Sequence, residues 1–81
     1  MMTPTIHLNG TAAQSLLDGY CDAANATLAA LEAVARTAPN ARDYPQGPEV
    51  YCVARAEHDS RLARLRAVLA ELNELAEAVC E

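Results

Sequence analysis

Apolar residues recur every three to four positions over two long stretches of this 81-residue chain, and a proline-rich segment separates the two. In the first stretch Leu17, Cys21, Ala24, Leu28, Leu31 and Ala35 are spaced alternately four and three apart. In the second, the apolar positions run from Val50, Tyr51, Val53 and Ala54 through Leu62, Leu65, Val68, Leu69, Leu72, Leu75 and Ala76 to Val79. Alternation of threes and fours marks a helix that lies lengthwise on another helix. The intervening PNARDYPQGP, Pro39 to Pro48, carries three prolines and one glycine and cannot continue a helix. The pattern predicts an all-α fold: a single domain forming an antiparallel two-helix hairpin. Its parts are an extended arm over 1–10, a first helix over 11–37, a loop over 38–48 and a second helix over 49–80.

Local signals agree with those boundaries. Asn9-Gly10 reads as a turn, and Thr11 with Gln14 three residues on forms a capping box. Thr5-Ile6-His7-Leu8-Asn9 alternates apolar and polar, as an extended arm laid on the helices would. Pro48 suits the first position of a helix, and Glu49 places a negative charge at its positive dipole end. Eighteen alanines raise helix propensity but add little apolar area, and there is no Phe or Trp to compensate. Gly19 sits inside the first helix, where it costs about 1 kcal/mol relative to Ala.

With a short loop, residues whose numbers sum to about 86 should face each other. Cys21 then lies near Leu65, Asn25 opposite Arg61 and Cys52 near Val34, while the second helix overhangs the first near Leu75–Val79. The apolar stripe of the second helix is wider than one seam requires. An 81-residue hairpin also buries little on its own, so the chain is expected to form a homo-oligomer in which 62–79 is covered by another copy.

The net charge is −5, unevenly spread. All six basic residues are arginines and lie between Arg36 and Arg66, beside only four acids, which leaves +2 there and −7 elsewhere. An acidic protein repels a phosphate backbone, which argues against general nucleic-acid binding; the middle of the chain is where a small anion is welcome. Cys21, Cys52 and Cys80 form no CxxC pair, so neither a disulfide framework nor a zinc site is expected, and the thiols read as small buried or half-buried groups. The first ten residues lack the basic start and apolar run of a signal peptide, and no apolar run approaches the ~20 residues that span a bilayer, so a cytoplasmic protein without a membrane partner is expected.

Catalytic signals are missing. His7 and His58 belong to segments placed apart, no nucleophile motif or phosphate-binding glycine loop is present, and the chain reads as a non-enzyme without cofactor or metal. Two groups stand out as binding candidates. On the second helix, His58 and Arg61 are three apart on the seam side, and Glu57 is four before Arg61, placed for an ion pair. In the loop, Arg42, Tyr44 and Gln46 lie beside a helix N-terminus, with Tyr51, Arg36 and Arg55 close by; arginine forks onto phosphate or carboxylate while tyrosine offers a stacking face. The ordinary alternatives are a solvated connecting loop and a local ion pair beside a satisfied histidine.

At HLNGTAAQSLLDGY, at PNARDYPQGP and at Glu57-His58 with Arg61, the chain resembles a group of small uncharacterised proteins encoded by phages and prophages of proteobacteria. The likeness runs over most of the chain, though this loop has the single Tyr44 where the group often carries two adjacent tyrosines. The resemblance implies a setting, the host cell cytoplasm, rather than an activity. In architecture the expected hairpin is also similar to helical nucleotide sponges that block host immune signalling, a link that is associational. Two functions follow as expectations. One is an oligomeric module that sequesters an anionic, nucleotide-like ligand through Arg42, Tyr44, Gln46, Tyr51, Arg55, His58 and Arg61 to counter host defence. The other is an interaction module that docks on a host or phage protein through its acidic end or apolar helix face.

Overall fold

The computed structural model describes residues 1–4 and 10–80, and among these all regular structure is helical. Helix α1 spans Gly10–Ala35 and α2 spans Pro48–Cys80, with a single 3-10 turn, Ala41–Asp43, in the connection. The helices pack on each other as a hairpin. Of the extended arm expected over 1–10, the part that carries Ile6, His7 and Leu8 lies outside the described residues, as does the side chain of Thr11. The expected capping box of Thr11 and Gln14 rests on that side chain and so lies outside them too; the Gln14 amide donates to Asp18 Oδ1 one turn ahead, at 2.8 Å.

The connection is organised by short-range hydrogen bonds. α1 ends two residues sooner than the sequence pattern predicted, because the amides of Arg36 and Thr37 donate to Ala33 O and Val34 O, the tightened geometry that closes a helix. The Thr37 hydroxyl donates to the same Val34 carbonyl at 2.7 Å. Asn40 caps the 3-10 turn, its Oδ1 accepting from the amide of Arg42 at 3.0 Å. Gly47 has φ +135°, a region L side chains rarely adopt, and its carbonyl accepts from the Tyr51 amide to open α2. Pro48 occupies the first helical position, as its missing N–H allows.

The inward faces refine the predicted seams. On α1 the protected row is Leu17, Tyr20, Ala24, Thr27, Leu31 and Val34, whereas Cys21, Leu28 and Ala35 are exposed. Half of the expected heptad is therefore correct, and the other half turns by one residue. The reason lies in side-chain bulk: Tyr20 and Val34 cover more of α2 than Cys21 and Ala35 would, and Thr27 satisfies its hydroxyl locally on Ala23 O at 2.8 Å, so it sits in the seam without an orphaned donor. On α2 the protected row is Tyr51, Ala54, His58, Leu62, Leu65, Leu69, Leu72, Ala76 and Val79. Its steps are three and four throughout, except for two consecutive fours around His58. That eleven-residue spacing from Tyr51 to Leu62 locally relaxes the supercoil.

The register also differs from a sum of 86. Leu16 lies beside Leu72, and Leu17 and Cys21 share an open groove with Asn73, Ala76 and Cys80. Tyr20 with Leu72, and Leu17 and Cys21 with Asn73 and Ala76, sum to more than 86, which sets α2 nearer the loop than the sum of 86 predicts. The first turn of α2 packs on the loop, where the Tyr44 and Tyr51 rings meet edge to face with centroids 6.3 Å apart. All three cysteines are exposed free thiols, not the buried or half-buried ones expected.

Little of the hairpin is interior. Among the described residues only Ala24 and His58 are buried, and the leucines of both seams are half-buried. The molecule measures 60 × 20 × 12 Å, with a radius of gyration of 18.1 Å against the ~12 Å of a compact chain of this length. Its accessible surface is 5822 Å², about 1,100 Å² more than the ~4,700 Å² that globular proteins of 8.6 kDa expose.

Gly19 illustrates the loose fit. A Cβ added there meets nothing within 4 Å, so no close helix approach requires the glycine. Gly19→Ala is expected to stabilise the hairpin by about 1 kcal/mol through helix propensity alone, seen as a higher midpoint in urea unfolding followed by circular dichroism. A lower midpoint would show that this face is in close contact in solution.

Candidate functional site

The residues proposed from sequence occupy three separate places. Arg42 and Gln46 are exposed on the loop, and Tyr44 and Tyr51 are half-buried below them in their mutual ring contact. The tyrosines therefore brace the loop against α2. Arg42 makes no ion pair with any described carboxylate, and its backbone is held by Asn40. The loop thus presents one guanidinium on a fixed base.

Arg55 is committed elsewhere. Its Nε lies 3.4 Å from Asp59 Oδ1 one turn on, with both side chains more than half exposed. Such a pair contributes a few tenths of a kcal/mol at most. This is the ion pair of the region; the Glu57–Arg61 pair expected from the same four-residue spacing is not formed. Glu57 and Arg61 instead line an open depression of about 400 Å³ on the outer face of α2, with Val53, Ala56, Ser60 and Arg64. Arg64 lies along its own helix, Nε donating to Ser60 O at 3.3 Å.

His58 and Arg61, expected to share the seam face, are divided by it. His58 points into the hairpin and is 2% exposed, while Arg61 is on the surface. The eleven-residue step explains the split: position 62 replaces position 61 in the seam, so Leu62 is half-buried and Arg61 is turned outward. His58 Nδ1 has no hydrogen-bond partner, which makes the imidazole an unsatisfied polar group at the least exposed position of the chain.

Grooves rather than cavities border the hairpin. One, of about 670 Å³, runs along Ala12, Ser15, Leu16, Gly19, Tyr20 and Ala23 of α1 beside Leu72 of α2. It is apolar, open to solvent, and contains none of the proposed site residues. Among the described residues no three His, Cys, Asp or Glu side chains are grouped to hold a metal ion. No described helix is long and apolar enough to cross a membrane. Sequence reasoning left Arg64 and Val53, which flank Arg61, out of the binding candidates and did not separate Val68, 45% exposed beside the seam, from the rest of the apolar stripe. The signal for all three was the row one position before the seam residues. No protein-family model, curated protein or solved structure matches the chain.

Proposed function

We propose that this chain is a non-enzymatic binding module that works as an assembly of hairpins. The carrying observation is the surface excess of about 1,100 Å² over a compact protein of its mass, with two buried residues among those described. A typical stable interface removes about 800 Å² from each partner, so one self-interface accounts for most of that excess. In this reading the assembly takes a small anion at the loop end and sequesters it, the role expected for a phage-type accessory protein acting in a host cytoplasm. Arg42 supports that ligand class, being exposed and without an ion pair to any described carboxylate, as does the absence of lysine, since guanidinium alone in this chain can fork onto a phosphate or carboxylate.

The expected result is that Arg42→Ala weakens binding of a nucleotide such as a cyclic dinucleotide by about 1.5–3 kcal/mol and leaves the melting temperature unchanged. Titration calorimetry beside a melting curve measures both. Arg61→Ala should lower the melting temperature only in so far as it weakens the assembly, because no Glu57 ion pair within the chain is lost. If Arg42→Ala has no effect on a nucleotide that the wild-type protein binds, the loop is not the site.

A second reading has its own support. Glu71, Glu74 and Glu77 are exposed on the last third of α2, where no basic residue occurs, and such a surface suits a basic partner protein. Arg42→Ala separates the two readings, since docking of a basic partner on these glutamates should survive it.

A further inference from the structure

The row on α2 that lies one position before the seam contains Arg61, Arg64, Val68, Glu71 and Leu75, spaced three, four, three and four. It is therefore a second heptad-like stripe beside the first. Val68, 45% exposed, is its apolar centre; Leu75 is half-buried; the two arginines and Glu71 are exposed. Glu74 sits one residue before Leu75. The charges are antisymmetric about Val68, positive a turn or two before it and negative a turn or two after.

That pattern selects one occupant. Two copies of α2 lying parallel along this stripe would set arginine against arginine and glutamate against glutamate. Antiparallel about a two-fold axis at Val68, residue i meets residue 135−i or 136−i of the other copy. Arg64 then faces Glu71, Arg61 faces the Glu74–Leu75 turn, and Val68 meets Val68. A two-fold interface needs this self-complementarity, since each half of the surface must match the other. The apolar groove beside Leu72, lined by small residues of α1, borders the same stripe and leaves room for the aliphatic stems of the incoming arginines.

We infer that α2 of a second copy of this chain packs antiparallel on the Val68 stripe, making a four-helix assembly in which Arg61 and Arg64 of each copy face Glu71 and Glu74 of the other. The inference rests on the assembly reading above and specifies its interface. It also places Glu71 and Glu74 inside the assembly, which removes them from any docking surface for a foreign basic protein.

The test uses two variants of the full chain, Arg61→Glu/Arg64→Glu and Glu71→Arg/Glu74→Arg, studied by sedimentation and native mass spectrometry. Each variant alone is expected to dissociate at least tenfold more readily than wild type, because like charges now meet at both ends of the interface. An equimolar mixture is expected to recover assembly as a heterodimer. Circular dichroism of each variant checks that helix content is kept; a variant that loses it is replaced by Arg64→Gln or Glu71→Gln, expected to weaken association in the same direction by a smaller factor. A wild-type protein that sediments as a folded monomer at high micromolar concentration overturns both the assembly reading and this interface. A wild-type oligomer that is unaffected by either variant overturns the interface alone, as a parallel pairing or a different face would.

Discussion

Leu69→Glu is expected to unfold the hairpin, whereas Val68→Glu, one residue away, should keep the helices and remove only the assembly. Leu69 belongs to the row of α2 that packs on α1, and a carboxylate there meets apolar side chains within the same chain. Removing a leucine contact of this kind costs about 2–4 kcal/mol before the charge is counted. An 81-residue domain has only about 4–12 kcal/mol in total, so the loss takes a large share of it. Sequence reading alone treats Leu69 and Leu72 as oligomer contacts; their position in the intramolecular seam makes them fold residues instead. Val68 is turned away from α1, and its replacement places a charge only where a second copy would sit. The discriminating measurement is helix content at 222 nm together with the concentration dependence of melting. Val68→Glu should retain the first and lose the second. Equal loss of helix in both variants would show that the two rows are not separable.

How much of this was legible in the sequence depends on the residue concerned. The two helices were, because apolar periodicity extends over many turns and proline punctuates it once, between Pro39 and Pro48. The face of each helix was only half legible. Leu17, Ala24 and Leu31 were placed correctly, but the intervening seam position fell to Tyr20 and Thr27 rather than Cys21 and Leu28. Hydropathy ranks the second pair higher, while packing favours bulk and tolerates a threonine that bonds its own helix. Arg61 was misplaced for a related reason. A strict heptad carries His58 on to position 61, and the chain instead inserts an extra four-residue step to Leu62. The signal was present as the distance from Tyr51 to Leu62, yet it becomes decisive only when both helices are in view. The loop was legible in composition and not in contact: nothing in the spacing of Tyr44 and Tyr51 announces that their rings meet, since their approach is set by the turn that the Gly47 and Tyr51 amides close onto Tyr44 O and Gly47 O.

His58 is the residue whose replacement should stabilise the chain most. It is 2% exposed, its Nδ1 lacks a hydrogen-bond partner, and it stands at the point where the α2 seam departs from a regular heptad. An orphaned buried polar atom costs about 1–3 kcal/mol, and a side chain of similar size without polar atoms escapes that penalty. His58→Leu is therefore expected to raise stability by about 1–3 kcal/mol. For a domain of this length each kcal/mol moves the melting temperature by roughly 4–8 °C, so the shift is easily resolved in a thermal scan. His58→Ala supplies the contrast, since it removes the same polar atom but leaves a void, and it should gain less than leucine or lose. A ligand role for His58 would show as a split: the leucine variant melts higher and binds less, the pattern of a site that sacrifices stability for function. A leucine variant that melts below wild type would mean that the imidazole is hydrogen-bonded in solution, and the seam at His58 would then have to be closed by a polar partner rather than by packing.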